Sequence, residues 1–413
     1  MNGSSQGIRQ ADLQEMTMQQ QAPSGYDLFQ PTEEAALLRQ TVRQFVEREV
    51  EPQAARHERE ERFNRELFRR LGELGLLGIT VPEDWGGAGM DAVAAVIAHE
   101  EITASDPGLG LSYLAHSMLF VNNFFHNSNQ TQREKYLEKV LSGEWVAGMC
   151  MSEPEGGTDI QAMRSTAVKS GGNYILNGRK MWVTNGCLDD HNPGDVFLVY
   201  ARTGAKISTF VVDRTMEGFS LGQKIRDKAG MRSSPTAELV FSDCRVPAEN
   251  LLGAEGESLI HMMRNLELER LTLAAMALGI ARRCLDEMNR YAGQRTAFGQ
   301  PINQFGQIQR HIGESYAEFS AGRCLVYDVA RRLRLEQPGM RLETDAAKLY
   351  TATMAKNVAD RAIQVLGGYG YVGEYSVERL WRAAKLLEIG GGTMEAHQKN
   401  ITRDLSRNPR FFR

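Results

Sequence analysis

The sequence predicts a mainly α-helical protein with a β domain inserted between two helical ones, and three observations carry that expectation. From Glu33 to Glu60 the apolar residues Leu37, Leu38, Val42, Phe45, Val46 and Val50 recur at helical spacing among charges. Between Trp145 and about Asn250 the pattern changes to alternation and β-forming residues. From Ser258 onward long amphipathic helical periods return. The expected division is a disordered tail at 1–27, a helical domain at 28–144, a β domain at 145–250 and a helical domain at 251–413.

A chain of 413 residues with 42% hydrophobic residues can bury a sizeable core in two or three subdomains. Its net charge of −4 lacks the basic surplus of a polyanion binder, so nucleic acid is not an expected partner. No apolar run is long enough to span a bilayer, and no membrane association is expected. The five cysteines (Cys150, Cys187, Cys244, Cys284, Cys324) are scattered and odd in number. That pattern predicts reduced thiols in a cytoplasmic setting and neither a disulfide framework nor a zinc site. Residues 1–27 are rich in Gln, Ser and Gly, with Arg9 as the only basic residue and Asp12, Glu15 and Asp27 as acids. They read as an unstructured leader, because a secretory signal needs an apolar core and a transit peptide more Arg and fewer acids.

In the first domain Gly72, Gly75 and Gly78, then Val81 to Gly89, mark breaks between helices, and Glu100 to Phe125 reads as a buried helix pair. In the β domain Tyr174–Leu176, Asn177-Gly178 and Lys180–Thr184 predict a hairpin, since Asn-Gly tolerates the positive φ of a type I′ turn. Further strands are expected at Asp195 to Ala201, Ser208 to Asp213 and Thr236 to Phe241, with Pro247 and Gly253 closing the domain. Helices are then expected at Leu259 to Gln294, Phe305 to Leu335 and Thr344 to Leu366.

One residue on the first of these helices stands out. Leu259, Met262, Leu266, Glu269, Leu273, Met276 and Ile280 fall on one face, so burying that face removes the Glu269 carboxyl from water. Burial raises its pKa and makes it a candidate general base. The competing reading is a structural carboxylate neutralised by Arg270 or another cation.

Gly368-Tyr-Gly370-Tyr-Val-Gly373 satisfies a dinucleotide-binding pattern, with Glu388 twenty residues past its first glycine. Helical periodicity precedes it where a strand is required, so these glycines are expected to end a helix. His99-Glu100-Glu101 lacks a second His at zinc-helix spacing, and no metal is expected. Three stretches are more suggestive. Met151-Ser-Glu-Pro-Glu-Gly-Gly-Thr-Asp159 offers hydroxyls and free amides to a polar ring or phosphate, though it also suits a plain turn. Trp182 and Thr184 share a strand face at i and i+2, suited to stacking on a flat cofactor or to core packing. Ile389-Gly-Gly-Gly-Thr-Met-Glu-Ala-His397 lies between two helices, where amides and Thr393 suit a pyrophosphate or simply a flexible loop.

Taken in order, with Gly230-Met-Arg-Ser-Ser234, Arg295-Thr-Ala-Phe-Gly-Gln-Pro-Ile302 and Gln364-Val-Leu-Gly-Gly368 between them, these stretches resemble the acyl-CoA dehydrogenase family over roughly residues 30 to 405. The resemblance implies an N-terminal helical domain, a middle β-barrel or sandwich and a C-terminal four-helix bundle, usually tetrameric, with FAD at the junction. It places Met151, Ser152 and Thr158 along the flavin and thioester, and Trp182 and Thr184 against the isoalloxazine ring. Arg295, Phe298, Gln364, Gly367 and Gly368 would hold the adenosine diphosphate part across a subunit boundary, with Thr393 and Glu395 completing the site. For the acyl-CoA it implies Thr158, Ile260, Glu267, Arg270, Gly391 and Gly392.

The family's usual base precedes the Gly-Thr of the last loop, where this chain has Gly391. In the isovaleryl-CoA dehydrogenase branch the base sits in a Leu-Glu-Arg-Leu context, matched by Leu268-Glu269-Arg270-Leu271. Resemblance and burial therefore select the same residue. Gly391 and Gly392 would also leave room for a branch near C3. Two departures stand out. Phe305 is followed by Gly306 where the family often has Gln, leaving Gln309 as the substitute for that FAD contact, and Ile260 replaces a Tyr near the acyl pocket.

The implied activity is FAD-dependent α,β-dehydrogenation of a short or branched acyl-CoA, with electrons passed to an electron-transfer flavoprotein. Alternatives are a longer or carrier-bound acyl thioester, or an oxygen-using flavin oxidase or monooxygenase on the same fold. A flavoprotein that binds DNA has only the basic end, Arg403, Arg407, Arg410 and Arg413, in its support.

Overall fold

The computed structural model describes residues 27–407; the expected tail and the terminal Arg410 and Arg413 lie outside them, apart from Asp27. The chain enters through helix α1, Glu33–Phe45, capped by the Thr32 hydroxyl on the Ala35 amide. A widened π turn at Val46–Val50 leads into α2, Glu51–Glu60. Pro52 has no N–H to give and its ring crowds the carbonyl of Arg48, so the helix opens locally and continues. Helix α3, Arg65–Glu73, and then α4, Ala92–Thr103, α5, Pro107–Leu114, α6, Asn123–Asn127, and α7, Gln130–Leu141, complete the first helical layer. All twelve residues of α4 are buried, as the expected buried helix pair requires.

Eight strands form one sheet: β1, Ala147–Cys150, β2, Thr166–Ser170, β3, Asn173–Thr184, β4, Val196–Thr203, β5, Lys206–Asp213, β6, Phe219–Lys224, β7, Thr236–Pro247, and β8, Leu251–Leu252. Their order is β6-β7-β3-β2-β4-β5-β8, with β1 parallel to β4. The expected hairpin at Asn177-Gly178 does not form. Both residues lie inside the single strand β3, where the register against β7 shifts between Leu176 and Gly178. A Cβ on Gly178 would sit 2.3 Å from Ser165 Oγ, and Asn177 exchanges hydrogen bonds with Asp243 across the sheet. The glycine serves close approach at a bulge, not chain reversal. The actual reversal joins β2 to β3 through Gly171, at φ 59°, and Gly172.

Helix α8, Ser258–Gln294, is the spine of the second helical layer. It packs against α4 on one side and against α9, Gly306–Arg332, and α10, Arg341–Leu366, on the other. Between α8 and α9 a small hairpin, β9, Thr296–Ala297, and β10, Gln300–Pro301, turns the chain. Two short connections follow α10: α11, Gly368–Tyr371, and α12, Val377–Leu387, before α13, Met394–Arg407. No strand precedes Gly368; α10 ends at Leu366 and Gly367 takes φ 61°, as expected for glycines that terminate a helix. No helix among the described residues is long and apolar enough to cross a membrane.

Candidate active site

The α8 stripe is buried from Met262 through Glu269 and Leu273 to Ile280, while Leu259, one turn before it, is exposed. Glu269 itself is only 7% exposed. Burial pushes its carboxyl up to about 7, against the pull of Arg270 and Lys348. Arg270 does not neutralise it by direct contact, because Arg270 Nε lies 3.1 Å from Asp345 Oδ1. Among the described residues no hydrogen bond or ion pair reaches the Glu269 carboxylate, so its oxygens remain available to a ligand.

Directly opposite is the turn between α12 and α13. Gly391, at φ 66°, is so close that a Cβ there would meet Leu273 Cδ1 at 2.0 Å and Glu269 Oε1 at 3.5 Å. Leu273 therefore occupies the space that a side chain from position 391 would enter, and the Glu269 carboxylate lies beside that space at van der Waals distance. Glycine is required twice over, by the positive φ and by the missing volume. Thr393 Oγ1 accepts from the Ala396 amide and starts α13; Glu395 beside it is exposed. Glu388 pairs with Lys385 at 2.6 Å and buried Asp345 with Arg270 and His397, which leaves Glu269 as the buried carboxyl without an ion-pair partner at this turn among the described residues.

The third wall comes from the sheet. The segment after β1 is pinned by Glu153, whose carboxylate accepts the Arg164 and Ser165 amides at 2.6 and 2.9 Å and the Lys180 ammonium at 2.8 Å. Lys180 also donates to the Met151 carbonyl at 3.3 Å, and the Met181 amide donates to the Ser152 carbonyl at 3.0 Å. Met151 packs with Tyr200, Met262 and Leu266, joining the sheet edge to α8 one turn before Glu269. Met151 and Ser152 are half-buried and Thr158 is exposed.

Trp182 sits on a bulge: Lys180 pairs with Leu239 and Val183 with Ala237, one residue too many on β3. The bulge interrupts the simple i, i+2 alternation on which the shared face of Trp182 and Thr184 was expected. Even so, Val183 points into the core while Trp182 and half-buried Thr184 stay off it. Trp182 has φ 62° and is 62% exposed, a combination that costs roughly 1–2 kcal/mol and leaves a large apolar ring in water. An indole held so is placed to cover a flat ligand.

The remaining expected site residues lie elsewhere. Arg295 and Phe298 follow the far end of α8, and exposed Gln364, Gly367 and Gly368 end α10. Of these, Arg295, Gly367 and Gly368 line a cleft of about 570 Å³ together with Tyr291, Ile302 and Tyr369. Twenty-five residues of helix separate Glu269 from Arg295, a span of roughly 39 Å at 1.5 Å per step. One chain therefore does not unite these residues with Trp182. Gln309 is exposed and donates to the Asn303 carbonyl at 3.1 Å. Ile260 is 63% exposed at the start of α8. Glu267 is buried, and its carboxylate accepts the Gly339 and Met340 amides at 2.9 to 3.1 Å, so it anchors the approach to α10.

Sequence reasoning missed Lys348, Asp345 and Lys180. Lys348 is 1% and Asp345 0% exposed, one turn apart on α10. Charged residues spaced i, i+3 among Ala347, Thr351 and Ala352 were the available signal.

A buried carboxyl on a long helix facing a glycine turn, within a helical, sheet and helical order of domains, defines a class. The chain belongs to the acyl-CoA dehydrogenase family: its N-terminal, middle and C-terminal domain models match residues 32–144, 148–244 and 259–406. The chain is 42% identical over 383 residues to isovaleryl-CoA dehydrogenase, mitochondrial, of Pongo abelii, covering 90% of this chain and 88% of that protein. It also resembles butyryl-CoA dehydrogenase of Megasphaera elsdenii, at a TM-score of 0.87 and 32% identity over 91% of this chain and 99% of the other. A third likeness is a glutaryl-CoA dehydrogenase of Mycobacterium smegmatis in complex with FADH2, at 0.86 and 29% over 92% and 96%. The protein is thus an oxidoreductase acting on acyl-CoA.

Proposed function

We propose that the protein uses FAD to convert a short branched acyl-CoA, of the isovaleryl-CoA type, to its trans-2-enoyl thioester and passes the electrons to an electron-transfer flavoprotein. One observation carries the reading: Glu269 Oε1 lies 3.5 Å from the position a Cβ of Gly391 would take, so the base enters from α8 and the opposing turn contributes no side chain. A turn without a side chain beside the carboxylate is the feature that favours a branched acyl group over a straight one.

The residues present fit a flavin. Trp182 is an exposed indole on a strained bulge, the Met151–Ser152 edge is held by Lys180 and Glu153, and Gly391 leaves the turn without a Cβ. Met151, Ser152, Trp182 and Thr184 would hold the ring system. Bound there, FAD supplies the acceptor for the two electrons and the β-hydrogen that leave the thioester.

The chain supplies the proton chemistry. The hydrogen α to a thioester carbonyl is weakly acidic, and a carboxyl whose pKa sits near 7 is a stronger base than one near 4 while still ionised at neutral pH. Glu269 takes that proton, and the buried residues Leu273, Met262 and Tyr200 around it exclude water from the carbanionic α-carbon.

The separation of about 39 Å between Glu269 and Arg295 supports a second copy of the chain at the cofactor. Arg295, Phe298, Gln364, Gly367 and Gly368 would reach the adenosine diphosphate part from that copy, in a homotetramer. The test is anaerobic titration of the purified holoprotein with isovaleryl-CoA and with straight-chain acyl-CoAs while flavin absorbance is followed. Rapid bleaching by isovaleryl-CoA is expected; faster bleaching by hexanoyl-CoA, or none by any acyl-CoA, would sink the reading.

A further inference from the structure

Behind the glycine turn lies a buried set of charges with no direct part in the chemistry above. Lys348 Nζ donates to the Gly392 carbonyl at 2.7 Å, and His397 Nε2 reaches the same oxygen at 3.0 Å. His397 Nδ1 lies 2.6 Å from Asp345 Oδ1, which also pairs with Arg270. Both ring nitrogens are thereby engaged, one by the α10 carboxylate and one by the turn carbonyl. Gly392 has φ 99°, and a Cβ there would lie 3.1 Å from the His397 ring. The turn that walls Glu269 is thus clamped through one carbonyl by two side chains from α10 and α13.

The two cations nearest Glu269 are not equivalent. Arg270 has a carboxylate partner in Asp345, which offsets its charge. Lys348 is 1% exposed and its one hydrogen bond is to a neutral carbonyl, so its charge lacks a contacting counter-ion. An ammonium buried in that way is costly unless a negative charge stands near it. The groups facing the Glu269–Lys348 pair are Arg270 on α8, Asp345 on α10, Glu388 after α12, His397 on α13 and Tyr200 on β4. Of the two carboxylates, Asp345 is shared with Arg270 and His397, and Glu388 is bound to Lys385. Glu269 alone has no ion-pair partner among the described residues.

We propose that Lys348 is a positioning residue for proton abstraction, fixing the Gly392 carbonyl and presenting the buried positive charge against which Glu269 ionises. The inference rests on Glu269 being the base. It gives the ionised base a stabilising partner that is itself buried and bound to the backbone of the turn.

Lys348→Met tests it by removing charge and donor at similar volume; Lys348→Arg keeps the charge. Each is purified as holoenzyme, its FAD content and melting temperature are measured, and its rate of flavin reduction by isovaleryl-CoA is followed from pH 5.5 to 9. Loss of a neighbouring cation disfavours the carboxylate, so Lys348→Met should reduce flavin about tenfold more slowly at pH 7, with its inflection roughly one pH unit higher. Lys348→Arg should return the inflection to within about half a unit of the parent. A purely structural lysine would lower FAD content and melting temperature and leave the inflection in place; that result overturns the proposal. If Lys348→Met does not yield folded holoenzyme, Lys348→Gln, an uncharged donor, is read by the same criterion. Glu269→Gln in the same assay separates the two ideas. If it still bleaches at the parental rate, the base assignment falls; if it is inert and Lys348→Met keeps the parental profile, only the role of Lys348 falls.

Discussion

A carboxyl that burial pushes up to about 7 in a helix stripe has two measurable consequences. In catalysis, Glu269→Gln should retain FAD but lose at least about a thousandfold in flavin reduction, within the range of a lost general base. The parent's rate should rise through about pH 7 as Glu269 ionises. In stability the sign runs the other way. Between the ordinary carboxylate value of 4.5 and about 7, the folded chain binds a proton that the unfolded chain has released, so stability falls as pH rises through that window. Glu269→Gln should therefore melt higher than the parent at pH 8 and equally at pH 4, by calorimetry; the reverse order would show that the ionised carboxylate is well solvated. The full effect is at most roughly 3 kcal/mol, since each pH unit of that window contributes about 1.36 kcal/mol.

Helices and turns are joined by polar contacts that periodicity does not reveal. Arg39 of α1 binds Glu100 and Glu101 of α4 at 3.1 and 2.6 Å, Arg282 of α8 binds Glu101 at 2.7 Å, and Arg323 of α9 lies 3.2 Å from Glu100. Tyr327 hydrogen-bonds both Arg39 and Glu100. Burial opposes the charge on Glu101, but Arg282, Arg43 and Arg39 outweigh it and hold its carboxyl down to about 2. Its stabilisation is present above the ordinary value of 4.5 and is lost as pH falls toward 2. Arg282→Met strands part of that buried charge and should cost about 3–5 kcal/mol in urea unfolding at pH 7; a cost below about 1 kcal/mol would mean the site is wetter than it looks. At the glycine turn, Gly391→Ala places a methyl 2.0 Å from Leu273 Cδ1 at a positive φ. It should lower stability by about 1–3 kcal/mol and weaken acyl-CoA binding, with Leu273→Ala in the same chain restoring part of the binding.

For the whole molecule, the hairpin after α8 offers the sharpest test. Phe298 and Gly299 both have positive φ, at 50° and 82°, as a type I′ turn demands, and Phe298 is 98% exposed. A strained, fully exposed phenylalanine is explained if a second copy covers it. Light scattering of the holoprotein should give four chains, and Phe298→Asp should dissociate the assembly and lower FAD content together. A parent that runs as a monomer with FAD bound would refute the shared cofactor site.

The helices, the sheet and the buried position of Glu269 were legible in the chain because they rest on periodicity: a 3.6-residue apolar repeat on α8 and β-formers from Trp145 onward. The Asn177-Gly178 hairpin was misread because the same dipeptide serves a bulge once Ser165 packs against it, and only the neighbouring strand distinguishes the two. Likewise the sequence placed an acid among apolar residues and a glycine at position 391. That a Cβ at 391 would stand 3.5 Å from Glu269 Oε1, with Lys348, Asp345 and His397 behind the turn, was decided by the packing of α8, α10 and the α12–α13 turn. Local patterning selects which face is buried; which distant groups meet there depends on tertiary contacts between residues far apart in the chain, and these leave no period in the sequence to read.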